Sequence, residues 1–562
     1  MKAMDKLNCS EAAERLERMI PSVPKLLGLV LLIVIFASFV WPIATLMMAS
    51  FVDGGNFDAY AKLATSPLYQ RAFTNTFVIA GLVTVIAMAA AYPLAYLMAS
   101  VPPGTARVLT FVVLLPFWTS ALVRTAAWMV LLQRNGAINN ALTSIGIVDE
   151  PVAFLYNLPG VIIGMVHVLL PFMVLPLYAA FRALDGQLLQ AAEGLGAGAG
   201  TLVRRIILPL TAPGAAAGAL IVFMSAIGYY ITPALMGGPR QMMLSQMISY
   251  HMQEQLDWAM ASALSLVLLG STLIVFFVFQ RFYGFDRLFA SETGTAIDPS
   301  VARKGGGVAW RIALVLGLVV AFFLLAPILV VFPLSFASAP FIQFPPAEWT
   351  TIWYSKLAAD PKWLAALLSS LRVAGIAVVA SVVFGTLAAI VVSRLSGPFA
   401  RLLEVMLVAP LVVPPIIVAI SLYYFHARGP FMGSHELLAF GHALLALPFV
   451  YITVRATLRS FEPNFELAAI GLGASWLVMF RRVMLPSLLP GIAAGAVFAF
   501  ITSFDDVVLA LFLTTAKSRT LPRVIYEGAL DDIDPAIIAV AVILILFAIA
   551  ALLTSLFIRK RP

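Results

Sequence analysis

Twelve stretches of this chain are apolar for about twenty residues or more, and few folds can accept that pattern. An α-helix crosses the hydrocarbon core of a bilayer with about 20 apolar residues. In the first half the runs lie near 26–50, 73–99, 107–132, 153–181, 208–231 and 259–281. In the second half they lie near 310–336, 366–394, 401–425, 437–459, 485–513 and 534–558. The expected fold is an all-α membrane protein with twelve transmembrane helices. Composition agrees: 62% of the 562 residues are hydrophobic and 11% charged, against about 45–50% and about 25% in soluble domains. The first run is too long for a signal peptide and has no small-residue cleavage site, so it is expected to remain as a helix. Ahead of it, residues 1–25 are polar, with Glu11, Glu14, Arg15, Glu17 and Arg18 on an expected short helix. The single cysteine, Cys9, excludes an internal disulfide.

Twelve spans place both ends on one side, and the basic residues indicate which. With a cytoplasmic N-terminus, 23 of the 35 Lys and Arg fall in inner segments, ten in outer loops, and two, Arg124 and Arg372, inside spans. Cytoplasmic segments carry the excess of basic residues in membrane proteins, so both termini are expected in the cytoplasm. The same asymmetry accounts for the net charge of +8 without nucleic acid.

The two halves repeat. Pro116 in LLPFW matches Pro410 in VAPLV at an offset of 294. Further on the offset is 277: Pro171 matches Pro448, Arg182 matches Arg459, Asp185 matches Glu462, and Pro213-Gly214 matches Pro490-Gly491. The shift falls in the loop around 133–152. The chain therefore divides into a first bundle at 26–281, a polar linker at 282–309 with Gly305 to Gly307, and a second bundle at 310–562.

Each half carries one inner loop that is more than a turn. The first reads LLQAAEGLGAGAGTLVRRIILPLTAPG over 188–214, the second FELAAIGLGASWLVMFRRVMLPSLLPG over 465–491. Each has an Ala-Ala pair (Ala191-Ala192, Ala468-Ala469), a glycine four residues on (Gly196, Gly473), paired arginines (Arg204-Arg205, Arg481-Arg482) and a proline (Pro209, Pro486). Small alanines let a helix face approach another protein closely. The glycines accept positive φ and end a short helix, and the prolines are expected to open the next span. The pattern resembles the EAA loop of ATP-binding-cassette importer permeases, in which it forms a coupling helix seated in a groove of a cytoplasmic ATPase. The resemblance implies two six-helix type I importer permease bundles. It also implies two copies of an ATPase docked at 186–205 and 463–482, and an extracytoplasmic substrate-binding protein. The family's leading glutamate is Gln190 in one loop and Leu467 in the other, with Glu193 or Glu466 as replacements.

Past each loop the chain becomes polar inside a span. SAIGYYITPALMGGPRQMMLSQMI covers 225–248 and ITSFDDVVLALFLTTAKSRTLPRVIY covers 501–526. These segments resemble the two separate permease subunits of spermidine/putrescine importers, one per half. Importers for iron, thiamine, 2-aminoethylphosphonate and opines share much of the pattern. Charge inside a membrane is costly, so Asp505 and Asp506 require a reason. One reading is a path for a small organic cation, lined by Asp505, Asp506, Tyr229 and Tyr230 with Trp118 or Trp128 as neighbours, the rings offering cation–π contacts. The other is an ion network with Arg124 or Arg372. His167 and His442 stand in matching spans, where a hydrogen bond to a neighbouring helix is the ordinary role.

Two other classes fit the residues less well. A gradient-driven transporter can also have twelve spans in two halves, but it has no use for paired coupling loops, and 101–107 reads VPPGTAR where a basic loop belongs. An enzyme is not indicated: there is no G-x-x-x-x-G-K-[ST] phosphate loop, no H-E-x-x-H and no G-x-S-x-G. No cofactor or metal site is expected in this chain, and ATP with magnesium is expected on the partner ATPase. The sequence is thus read as a multi-pass subunit of a bacterial inner membrane.

Overall fold

The computed structural model describes residues 22–52, 57–283, 307–338, 344, 346, 348–531 and 535–558. Cys9, the short helix expected around Glu11 to Arg18, most of the 282–309 linker and the basic end Arg559 to Arg561 lie outside the described residues. Among those residues there are helices, two isolated β-bridges and no sheet.

In chain order the main helices of the first half are α1 (Val23–Phe51), α2 (Pro67–Ser100), α3 (Pro103–Trp118), α4 (Ala121–Leu132), α5 (Leu158–Arg182), α6 (Gly186–Gly194), α7 (Leu208–Ile227), α8 (Ile231–Met236), α9 (Leu244–Gln253) and α10 (Trp258–Tyr283). The second half follows with α11 (Gly307–Leu334), α12 (Pro361–Ser393), α13 (Gly397–Val412), α14 (Pro415–His426), α15 (His435–Arg459), α16 (Pro463–Gly471), α17 (Leu485–Asp505), α18 (Val508–Leu513), α19 (Leu521–Asp531) and α20 (Pro535–Ile558). Proline opens α2, α3 and α14, where its missing N–H and fixed φ cost nothing. The 277-residue repeat is visible residue for residue: α5 and α15, α6 and α16, and α8 and α18 have matching ends.

Among the described residues nine helices are long and apolar enough to cross a membrane, or up to eleven if each of two bent pairs is one span. A shorter apolar helix, Ala536–Phe547, accompanies them. The runs at 107–132 and 401–425 are these bent pairs, turning by 95° and 101°. In the second half, Pro410 lies inside α13, and Val413 before Pro414 takes an extended φ of −78° and ψ of 125°. A residue before proline is pushed out of the helical region, so α14 must start in a new direction.

Contacts group the helices into two units. One combines the chain up to Met48 with Ala366–Thr520, and the other combines Ala49–Ala365 with the chain from Leu521 onward. In the first unit Gly28 lets α1 close on α13: a Cβ there would stand 3.0 Å from the Phe399 ring and 3.1 Å from Leu395. The second unit has a buried cluster of Leu115, Val123 and Val130 from α3 and α4, Ile328 and Val331 from α11, and Ile538, Val542 and Ile545 from α20. Helices from opposite ends of the sequence therefore share one core.

Within each unit small residues set the closest approaches. A Cβ at Gly218 would lie 2.8 Å from Met173 Sδ, and one at Gly495 would lie 2.7 Å from Thr453 Oγ1. Gly214 and Gly218 on α7, and Gly491 and Gly495 on α17, thus bring these helices against α5 and α15, as expected of small-x-x-x-small patterns.

Candidate functional site

The two loops have the same backbone. α6 ends in a left-handed residue, Gly196 at φ +82°, and α16 ends in Gly473 at φ +83°. Ala197 N–H donates to the Ala192 carbonyl and Ala474 N–H to the Ala469 carbonyl, both at 3.0 Å. That bond, one residue past a left-handed glycine, is the Schellman cap that consumes orphan carbonyls at a helix end. The second alanine of each Ala-Ala pair is its acceptor, a role the repeat alone did not disclose. The residue just before each glycine is a leucine held out from the protein, Leu195 at 90% exposure and Leu472 at 89%. Ala191, Gln190, Ala468 and Leu467 are also exposed, while Ala192 and Ala469 are half-buried.

Beyond the caps the chain departs from expectation. Pro209 and Pro486 stand in the first turn of α7 and α17, but neither starts a helix from coil, because helix already runs from Gly200 and Trp476. Each proline instead follows a wide turn, Val203–Ile207 or Phe480–Met484, in which Leu208 N–H reaches back to Val203 O and Leu485 N–H to Phe480 O. The widened turn relieves the clash a proline ring makes with the carbonyl four residues back. Arg204, Arg205, Arg481 and Arg482 sit in these turns and are exposed.

The missing leading glutamate is answered differently in the two halves. Glu466 accepts from Arg394 at 2.7 Å, joining α16 to the end of α12. Its counterpart by offset, Leu189, is buried at 8%. The Glu193 side chain lies outside the described residues.

After the loops, α7 and α17 break. Gly228, Tyr229 and Tyr230 separate α7 from α8, and Asp506 with Val507 separates α17 from α18. Non-helical backbone at membrane depth must be enclosed by protein or line a wet cavity. At the second break Asp506 Oδ1 accepts from Leu509 N–H at 2.7 Å, capping α18, and lies 3.3 Å from His442 Nε2. His442 Nδ1 is 2.8 Å from Ser503 Oγ. Asp505 is the last residue of α17 and half-buried. Arg372 pairs with Glu436 at 2.6 Å, so the expected alternative of Arg372 with Asp506 is not what forms. At the first break the Tyr229 carbonyl accepts from Ser245 Oγ at 2.7 Å. Tyr526 donates to the Tyr230 hydroxyl at 3.2 Å, which lies 3.1 Å from Ser249 Oγ. Burial, then the neighbouring Tyr230, pushes the Tyr526 phenol above its usual pKa, so it stays a donor.

Trp128 is buried against His167 and Phe323, with ring centroids 5.7 and 5.0 Å away, and belongs to a packed core. His167 Nε2 is 3.2 Å from the Leu324 carbonyl. The Trp118 side chain lies outside the described residues. Arg124 is buried at 5% on α4. Among the described residues no cluster of three or more His, Cys, Asp or Glu could hold a metal ion.

Comparison with known proteins fits this arrangement. Residues 381–561 match the family described as binding-protein-dependent transport system inner membrane component. The spermidine/putrescine transport system permease protein PotB of Haemophilus influenzae is 37% identical over 235 residues, covering 41% of this chain and 82% of that protein. The chain belongs to this permease family. The putrescine transport system permease protein PotI of Escherichia coli is 33% identical over 248 residues, 42% of this chain and 85% of its own. A probable ABC transporter permease protein, y4fN of Sinorhizobium fredii, is 25% identical over 516 residues, 90% of each chain. Two relatives thus match less than half of this permease each, and the third runs its length. The chain is a fused permease of the inner membrane and a transport subunit.

Some of the permease's residues escaped the sequence reading. Gly164 and Gly441, an offset of 277 apart, seat the short helices after the breaks. A Cβ on Gly164 would lie 2.6 Å from Thr232 Cγ2, and one on Gly441 would lie 2.7 Å from Leu509 Cδ2. The repeat carries both glycines, and a full comparison of the halves would have exposed them. Ser503 and the pairing of His442 with Asp506 had no such signal, because neither is repeated.

Proposed function

We propose that this permease forms the membrane path of an ATP-driven, binding-protein-dependent importer for polyamines or a similar small organic amine. The observation that carries the ATP-driven part is the pair of matched loops, each ending in a left-handed glycine behind an outward-facing leucine. A short helix with a fixed end and an apolar tip suits a socket in another protein. One ATPase copy docks at 186–205 and a second at 463–482, and these partners bind ATP and magnesium. The loops and both termini face the cytoplasm, in keeping with the basic residues. A binding protein delivers substrate to the opposite face, near 232–258 and 514–533.

Support for an amine substrate comes from the spermidine/putrescine and putrescine permeases among the relatives, and from a carboxylate at a helix break. Asp505 and Asp506, with Tyr229 and Tyr230, line the path in this reading. Closure of the ATPases on ATP draws the coupling helices together and opens the path outward, and hydrolysis resets it.

The test is reconstitution in lipid with the ATPase and binding protein encoded beside this chain. Spermidine- or putrescine-loaded binding protein should raise ATP turnover and drive uptake. Turnover that rises only with an aminophosphonate, an opine or ferric iron would replace the substrate and keep the architecture. Failure of any ATPase to bind would remove the coupling reading and favour a gradient-driven carrier.

A further inference from the structure

Asp506 is held by one oxygen. Both of its contacts, the α18 cap from Leu509 N–H and the approach of His442 Nε2, fall on Oδ1. Among the described residues Oδ2 has no protein partner. The Asp506 side chain is 11% exposed and that of His442 is 1% exposed. Such a carboxylate is aimed by its surroundings while keeping one acceptor oxygen uncommitted.

The hydrogen-bond logic assigns the imidazole proton. Ser503 Oγ is buried on α17, and its one hydrogen bond among the described residues is with His442 Nδ1. If Nδ1 carried the proton, the lone pair of Nε2 would face the Asp506 carboxylate and repel it. With Ser503 O–H donating to Nδ1, Nε2 carries the proton and faces Oδ1. Three side chains from α15, α17 and the break thereby form a relay that ends on the carboxylate. Met165, Ala226 and Tyr229 stand at the matching positions of the first half, so the relay belongs to the second half alone.

We infer that His442, oriented by Ser503, is a positioning residue that turns the Asp506 carboxylate so that Oδ2 receives one primary ammonium group of the passing substrate. The inference rests on the proposed amine path. Asp506 Oδ1 is hydrogen-bonded by the backbone of α18 and lies 3.3 Å from His442 Nε2, which acts on it electrostatically without a hydrogen bond, and Oδ2 is left to accept from the cation. Without the imidazole the carboxylate keeps only the α18 cap and can rotate about it. Ammonium recognition then loses its fixed geometry, while the loops that meet the ATPase are untouched.

The experiment uses the full chain with its ATPase and binding protein in proteoliposomes, with spermidine as the probe. Uptake, ATP turnover and thermal unfolding are measured for His442→Leu, His442→Gln, Ser503→Ala and Asp506→Asn. An electrostatic contact to a partly exposed charged group is worth up to about a fivefold change in an equilibrium. His442→Leu should therefore raise the spermidine KM for uptake about fivefold. Glutamine can donate from the place of Nε2, so His442→Gln should stay within about threefold. Ser503→Ala should fall between them. Loss of uptake in Asp506→Asn with unchanged uptake in His442→Leu would overturn the inference and leave the path. Normal uptake in Asp506→Asn would remove the path and the inference together. Equal loss in His442→Leu and His442→Gln, with lowered unfolding temperatures, would make His442 a packing residue and overturn the inference.

Discussion

The loops at 186–205 and 463–482 share a backbone and differ in what it displays. Both caps, both left-handed glycines and both outward leucines superimpose by offset. Around them the first loop shows Gln190 and Gly200 where the second shows Leu467 and Leu477. The second also exposes Phe465, Ile470 and Trp476. Among the described residues it alone is braced, by Arg394 on Glu466. Conformation is the part kept in common, and apolar area is the part that varies. That division suggests that the shape of the loop transmits motion while its side chains set how firmly a partner is held.

The sharpest way to break the comparison is to remove the shape. A Cβ at Gly196 or Gly473 would meet no atom within 4 Å, so the penalty of a side chain there is mainly conformational, about 1–2 kcal/mol for a left-handed L-residue. Gly196→Val and Gly473→Val should each lower loaded-binding-protein-stimulated ATP turnover about tenfold or more as the cap unwinds, while asparagine, which tolerates this region, should retain most of it. Unequal losses in the two valine variants would show that the loops do not transmit equally.

Next in size is the leucine tip. Burying a leucine is worth about 1.5–3 kcal/mol, so Leu195→Ala and Leu472→Ala should each weaken ATPase retention about tenfold to a hundredfold in a detergent pull-down. Leu467→Gln, which copies the first loop, should move the second toward its behaviour. Retention that ignores all three substitutions would place the contact elsewhere. The smallest effect belongs to the brace. A partly exposed ion pair contributes up to about 1 kcal/mol, so Glu466→Gln should speed amide exchange in α16 about fivefold and leave α6 unchanged.

Much of this was legible in the residues because it recurs. The offset of 277 located the loops and their glycines, since each repeats a local backbone demand. Local demands are written in local residues: a glycine where φ is positive, a proline where a donor is absent. The relation between Pro209 and the wide turn before it was not legible, because a proline two positions into a span and one behind a widened turn look alike in sequence. Nor was the partner of Asp506. It depends on which face of α15 meets α17, and nothing in HALLALPF announces that face. The assignment of α1 to the unit of α12–α18 was hidden for the same reason. Lipid-facing and protein-facing apolar residues are chemically the same.

That assignment has a consequence in time. α1 leaves the ribosome well before the second half, yet the part of it up to Met48 groups with residues that begin at Ala366, more than three hundred positions later. At about 5–20 residues per second, synthesis of that interval takes roughly 15–60 s. For that whole period the greater part of α1 waits in the membrane without the rest of its unit, which closes only when the second half of the message has been read.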